Sequence, residues 1–145
     1  MEIKLIRLIS FQRKMGIFNN LFSSKNENTE EPQTQLNWIQ LTTVEQLDEI
    51  EQNSSKKPQI IFKHSTSCGI SSMVLRSFKN SYFLEGNQAD LYFLDLHRHR
   101  EVSNEVANKF QVHHQSPQVL IVKNRGAVAN ESHGGIMSLN LSRYI

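Results

Sequence analysis

The sequence predicts an α/β domain with a mixed central β-sheet and helices on both faces. Two observations indicate this class. Short apolar runs typical of buried strands alternate with longer segments whose apolar residues recur at helical spacing. The last two apolar runs are separated only by Asn124-Arg125-Gly126, which is typical of a β-hairpin. Strand–helix alternation followed by a hairpin gives the element order β-α-β-α-β-α-β-β-α.

The first strand and helix follow a polar N-terminal region. Residues 1–35 are predicted to be an N-terminal extension and disordered linker, and residues 36–145 the folded domain. The linker, residues 23–35, contains no aliphatic or aromatic residue, so burial cannot offset its ordering entropy. A strand is predicted over residues 37–41, and a helix follows to about Asn53. Each of two threonines precedes a Glu or Gln by three residues, the spacing of a capping box: Thr42 with Glu45, and Thr43 with Gln46.

The extreme N-terminus does not have the pattern of a secretion signal or a membrane span. Arg7 interrupts an apolar run that is too short and too charged to cross a bilayer. We interpret residues 1–14 as an upstream start that precedes a second start at Met15. A weak amphipathic surface helix over residues 1–22 is the alternative.

The second strand is predicted over residues 59–64 and the second helix from Ile70 to Phe78. The predicted apolar face of this helix is formed by Ile70, Met73, Val74, Ser77 and Phe78. The third strand, residues 89–96, is nearly continuously apolar, which predicts a central position in the sheet.

The remaining elements complete the sheet. A helix is predicted from Glu101 to Phe110, where apolar residues are spaced by four. The hairpin strands are predicted over residues 117–123 and 127–131, and Gly134-Gly135 ends the second of them. A last short helix is predicted from Ser138 to Ile145.

Composition limits the function classes. The 145 residues are enough to bury one core. The formal net charge is +2 and there is no stripe of basic and aromatic residues, so we expect no nucleic-acid or membrane partner. A single cysteine cannot form an internal disulfide, which favours a reducing, cytoplasmic location.

That cysteine, Cys68, lies between the second strand and the second helix. The helix N-terminus carries positive partial charge and unpaired N–H groups, which lower a thiol pKa by stabilising the thiolate. Since the thiolate is the nucleophile, this position predicts a reactive cysteine. A buried, inert cysteine is the alternative.

A cysteine after the second strand and a proline opening the fourth make this order of elements that of a thioredoxin-like fold. Four stretches resemble the YtxJ-like monothiol bacilliredoxins, thioredoxin-fold proteins of bacteria that use bacillithiol. They are Phe62-Lys63-His64-Ser65-Thr66-Ser67-Cys68-Gly69-Ile70-Ser71-Ser72-Met73, Arg100-Glu101-Val102-Ser103-Asn104, Val112-His113-His114-Gln115-Ser116-Pro117-Gln118 and Glu131-Ser132-His133. The resemblance runs from about Trp38 to Leu141. The family usually has proline after the cysteine where this chain has Gly69, which is expected to loosen the first helical turn.

The resemblance implies removal of bacillithiol from protein mixed disulfides. Cys68 would take the bacillithiol onto its own sulfur, so bacillithiol is a co-substrate and no other cofactor is expected. Ser71 occupies the place of a second cysteine; it can hydrogen-bond a thiolate but cannot resolve the adduct. Another thiol, or a reductase, must therefore clear it. The implied partners are bacillithiolated proteins and bacillithiol or another low-molecular-weight thiol.

The resemblance also implies binding residues around Cys68. The expected set is Thr66, Ser67, Gly69, Ser71, Ser116, Pro117 and Gly134. Pro117 is expected to be cis and to face the cysteine. Weaker candidates are His64 and Lys63 beside the thiolate, Arg98 and Arg100 for the malate carboxylates of bacillithiol, and Gly135 in a glycine-rich turn.

Other functions are less well supported by the residues. His97 and His99, or His113 and His114, lack partners at ligand spacing, so no metal site is predicted. A monothiol glutaredoxin-like protein carrying an Fe–S cluster would have an aromatic residue in place of Ile70. A non-catalytic thioredoxin-fold binding module is the other alternative, and it would have an ordinary cysteine pKa of about 8.5.

Overall fold

The computed structural model describes residues 36–145, so the predictions for residues 1–35 lie outside the described residues. The described part contains five strands, three α-helices and two 3₁₀ helices. The α-helices and strands, in chain order, are β1 (Trp38–Gln40), α1 (Glu45–Asn53), β2 (Gln59–His64), α2 (Gly69–Ser81), β3 (Asp90–Asp95), α3 (Arg100–Lys109), β4 (Gln118–Lys123) and β5 (Gly126–Ser132). The α/β class and the order of these elements are as predicted.

The five strands form one mixed sheet with the order β1-β3-β2-β4-β5. β1, β3 and β2 are parallel, whereas β4 runs antiparallel to β2 and to β5. The nearly continuous apolar β3, predicted to be central, is an interior strand that lies between β1 and β2. β2 is the central strand, and Lys63 near its end pairs with Gln118 at the start of β4. The segment after β2 and the segment before β4 therefore lie side by side at one edge of the sheet.

Two apolar clusters cover the two faces of the sheet. One contains residues of α1 and α3, including Leu47, Ile50 and Val106, and the other contains Val74 and Phe78 of α2. Consecutive β2 residues alternate between them, since Ile61 belongs to the first cluster and its two neighbours to the second. Helices on both faces are thus confirmed. No helix within residues 36–145 is long and apolar enough to cross a membrane.

The predicted apolar face of α2 is wrong in its first turn. Ser71, Val74 and Phe78 are buried, whereas Ile70 and Met73 are 56% and 57% exposed. At 100° per residue the buried face is centred between Val74 and Phe78, which places Ile70 about 60° and Met73 about 120° away from it. Two apolar side chains therefore lie in solvent next to the N-terminus of the helix.

The capping box of α1 forms only in part. The helix begins at Glu45, without a side-chain cap. Gln46 Oε1 accepts hydrogen bonds from the backbone N–H groups of Thr42 and Thr43, at 2.8 and 3.1 Å. The glutamine half of the motif therefore satisfies both donors.

The C-terminal helix predicted from Ser138 to Ile145 is absent, and the described chain ends instead in two 3₁₀ helices, His133–Ser138 and Leu141–Tyr144. Asn140 separates the two. Its backbone is extended and its Oδ1 accepts from Ser142 N at 3.1 Å, which starts the second helix anew.

Candidate active site

Cys68 lies directly before the first residue of α2. Its backbone is extended, with φ −106° and ψ 118°, and its N–H donates to Ser65 O at 3.2 Å. The residue is partly exposed. The N–H groups of Gly69, Ile70 and Ser71 have no hydrogen-bond partner within residues 36–145. Cys68, a partly exposed residue, therefore occupies the N-cap position of an open helix N-terminus, where such donors stabilise an anion.

Ser71 is fully buried, and its hydroxyl joins β2 to α2. Ser71 Oγ accepts from Ser65 N at 3.1 Å and lies 2.8 Å from His64 Nδ1. Nδ1 of His64 is the only acceptor near this buried hydroxyl in the described residues, so the Oγ proton is satisfied by donation to His64. Burial, more than any nearby charge, lowers the pKa of His64, so the ring is the neutral acceptor that this bond requires. The Ser71 and His64 side chains thus bond to each other, whereas the sequence had suggested that each could hold a thiolate.

His97 fixes the loop before Cys68, a contact that sequence reasoning missed. Its Nε2 lies 2.9 Å from Ser65 Oγ and 3.0 Å from Ser67 Oγ. Asp95 Oδ1 accepts from His97 N at 3.0 Å and so orients the loop after β3. The only signal in the sequence was that parallel strands end at the same edge of a sheet, where His64 pairs with Asp95.

The peptide bond between Ser116 and Pro117 is cis, as expected. Pro117 is buried beside the end of β2, since the register pairs the next residue, Gln118, with Lys63. The buried Gln118 side chain donates to His113 O at 2.9 Å and accepts from Gln115 N at 3.4 Å, which fixes the loop before the proline. Ser116 Oγ is buried without a hydrogen-bond partner in the described part of the chain.

Residues 39–141, most of the chain, match the family model described as monothiol bacilliredoxin BrxC. The chain belongs to the monothiol bacilliredoxin family. Family and fold together make it a thiol–disulfide oxidoreductase of the thioredoxin superfamily.

Solved structures agree with the fold. A candidate oxidoreductase with a thioredoxin fold is 34% identical, with a TM-score of 0.59 over 70% of this chain and 88% of that chain. Thioredoxin from Fasciola hepatica is 16% identical, with a TM-score of 0.58 over 73% and 98% of the two chains. The reduced thioredoxin pre-protein of Schistosoma mansoni is 19% identical, with a TM-score of 0.55 over 74% and 98%. At this low identity the two thioredoxins support the fold alone.

Gly69 is the point where this bacilliredoxin departs from the usual cysteine-proline pair. A Cβ atom built on Gly69 would meet no heavy atom within 4 Å, and the residue does not have a positive φ. Cys68 already has the extended backbone that a residue before proline prefers. The local geometry therefore has room for a Cβ atom at position 69, is compatible with the backbone that precedes a proline and does not require glycine.

Lys63 lies on the opposite side of β2 from His64 and does not contact the thiol site. Its side chain is fully buried, and Nζ lies 2.9 Å from His114 Nδ1 and 3.4 Å from Ser103 O. Burial lowers the pKa of Lys63 to about 8. Within residues 36–145 it has no carboxylate partner. Lys63 is therefore not placed to hold the Cys68 thiolate.

The other predicted candidates lie around this centre with fewer contacts. Thr66 is exposed, and Arg98 extends into solvent 3.8 Å from Asp95. Gly134 and Gly135 lie in the first turn of the 3₁₀ helix that starts at His133, and the positive φ of this turn, 51°, belongs to His133. A Cβ on Gly135 would lie 2.6 Å from the Glu131 carboxylate, so the close neighbour there is a flexible side chain.

The paired histidines have separate surroundings. Among residues 36–145, no three His, Cys, Asp or Glu side chains form a group that could hold a metal ion. His97 bonds to serine hydroxyls and His114 to Lys63 and Ser103.

Proposed function

We propose that this chain removes bacillithiol from proteins that carry it as a mixed disulfide. The Cys68 thiolate attacks the bacillithiol sulfur, the old disulfide bond breaks, and the substrate protein leaves as a thiolate. The product is a disulfide between Cys68 and bacillithiol. One disulfide is exchanged for another, so the step needs no external oxidant or reductant.

The observation that carries this proposal is the pair formed by Cys68 and Ser71. Cys68, the chain's one cysteine, caps an open helix N-terminus. Three residues later, where a resolving thiol would stand, Ser71 is buried and bonded to His64 and to the Ser65 amide. Resolution of an adduct on Cys68 therefore requires a thiol from another molecule. Attack by a second bacillithiol, for example, releases bacillithiol disulfide and regenerates the Cys68 thiol.

Residues around Cys68 are proposed to bind the two halves of the mixed disulfide. The backbone of Ser116, before buried Pro117, lies beside the end of β2 and is proposed to pair with an extended segment of the ligand. Thr66, Ser67, Gly69 and Gly134 are exposed and are proposed to line the approach to the sulfur. The setting we propose is a reducing cytoplasm, with bacillithiolated proteins as the macromolecular partners.

Recovery of free thiol on a bacillithiolated model protein tests the proposal. The wild-type chain is expected to restore the model protein's thiol, and Cys68→Ser to leave it capped. Cys68→Ser is a close control because the serine hydroxyl replaces the thiol with little change in volume. If the wild-type chain is folded and its Cys68 thiol is free, but no thiol is recovered on the model protein, the result would favour a non-catalytic binding module.

A further inference from the structure

Lys63 is a buried cation without a counter-ion. Its side chain is 0% exposed, and its two hydrogen-bond acceptors, the Ser103 carbonyl and His114 Nδ1, are both neutral. Burying a charge is costly unless an opposite charge compensates it.

The hydrogen bonds of His114 determine where its proton lies. An ammonium group has only donors, so Lys63 must donate to His114 Nδ1. The Ser103 hydroxyl, 3.4 Å from the same nitrogen, is a second donor to it. Burial, Lys63 and Arg100 all lower the pKa of His114, which keeps the ring neutral. A neutral ring that accepts at Nδ1 carries its proton on Nε2.

That second nitrogen is available to a ligand. His114 is exposed, and its Nε2 has no hydrogen-bond partner within residues 36–145. Arg100, close enough to influence His114, is also exposed and has no ion-pair partner in the described residues. One buried and one exposed cation thus flank an N–H donor.

This cluster lies at the same edge of the sheet as Cys68. Lys63 lies near the end of β2, five residues before Cys68 in the sequence. Its partner on β4, Gln118, directly follows Pro117. His114 lies in the loop that leads to the cis bond at Pro117. A ligand joined to Cys68 and lying along that loop would extend toward His114.

We propose that His114, backed by Lys63 and flanked by Arg100, forms a carboxylate-binding subsite that recognises the acidic part of the low-molecular-weight thiol. The inference rests on the proposed exchange at Cys68 and adds the determinant of which thiol is accepted. A carboxylate placed there accepts the Nε2–H bond and supplies the negative charge that Lys63 and Arg100 lack.

The test compares two caps on one model protein, bacillithiol and the same thiol without its malate group. The wild type is expected to transfer the malate-bearing cap faster. His114→Ala, Lys63→Met and Arg100→Gln should each lower that rate roughly tenfold and leave the malate-free cap unaffected. Arg125→Gln, the same change at the far end of the sheet, is the matched control and should alter neither rate.

The outcomes separate the two proposals. Equal wild-type rates on both caps overturn the subsite, as do variants that slow both caps alike. The latter result would assign these residues to folding or to the protein substrate's own carboxylates. Absence of transfer from either cap sinks the exchange at Cys68 instead.

Titration with malate alone reads the subsite without any exchange reaction. In spectra that resolve histidine ring nitrogens, His114 is expected as the Nε2–H tautomer and to shift on addition of malate. Lys63→Met should abolish the shift. A proton on Nδ1, or an unperturbed His114 at saturating malate, would overturn the proposal.

Discussion

Two neighbouring residues at the end of β2, His64 and Lys63, are both buried and polar, and their surroundings differ. His64 faces α2, where Ser71 donates to its ring and no charge is needed. Lys63 faces α3, where it keeps a positive charge and finds only neutral acceptors. On the α2 side the buried polar groups satisfy one another, and they hold the loop of Cys68. On the α3 side the positive charge of Lys63 has no negative partner in the described residues, so an anionic ligand would compensate it.

The largest expected effect on stability comes from the buried charge of Lys63, which has no negative partner in the described residues. The pKa of Lys63 is lowered from 10.5 to about 8, so between these values the unfolded chain binds more protons than the folded one. The free energy of unfolding should therefore rise as pH increases from about 8 to 10.5, by about 3 kcal/mol from this group.

Urea unfolding of wild type and Lys63→Met across that range measures the difference. The difference cancels other groups, such as Tyr82 and Tyr92, whose pKa values burial raises to about 12. A constant difference would mean that Lys63 has the same pKa in both states.

Removal of the Ser71 hydrogen bonds to His64 and to the Ser65 amide should lower the free energy of unfolding at every pH where His64 is neutral. Ser71→Ala leaves the Ser65 amide and His64 Nδ1 buried without partners, at an expected cost of about 1–3 kcal/mol. The exposed neighbour Ser72 is the matched control, and Ser72→Ala should change stability by less than about 0.5 kcal/mol. Equal effects of the two substitutions would remove the special role of the buried serine.

The hydrogen bonds between His97 and the loop before Cys68 should contribute less to the free energy of unfolding, because they are partly exposed. His97→Ala removes the bonds to Ser65 and Ser67, and a cost of about 1 kcal/mol is expected together with slower cap transfer. His99→Ala is the control, since the His99 side chain does not cap α3. Unchanged transfer in His97→Ala would show that the loop does not depend on this histidine.

The smallest expected effect is a gain in stability from a substitution in the first turn of α2. Gly69→Pro should stabilise the fold by about 0.4–1 kcal/mol, because the Gly69 N–H has no partner in the described residues to lose and the unfolded chain loses freedom. Gly69→Ala separates the loss of glycine from the proline ring itself. Destabilisation by proline would mean that the Gly69 amide has a partner that proline removes.

Sequence patterns predicted the local features and missed the ones made across the chain. The strand–helix order, the position of Cys68 at a helix N-terminus and the cis bond at Pro117 were all predictable, since each depends on neighbouring residues or on a family motif. The contact of His97 with Ser65 spans 32 residues and that of Lys63 with His114 spans 51. Both depend on strand register, which composition and spacing do not determine.

The first turn of α2 shows a second limit. Ile70 and Met73 match a helical period as well as Ser71 does, and hydrophobicity alone selects the wrong pair. The serine is buried because His64 and the Ser65 amide satisfy its hydroxyl.

Intact mass of the wild-type chain, followed over time with a bacillithiolated protein, tests the central claim most directly. The predicted result is a gain of one bacillithiol on Cys68. The adduct should persist after the released protein is removed and disappear when bacillithiol is added. Ser71→Cys, which places a second thiol three residues away, should lose the adduct without added thiol. A wild-type chain that gains no mass, or that clears its adduct unaided, would contradict the one-thiol mechanism.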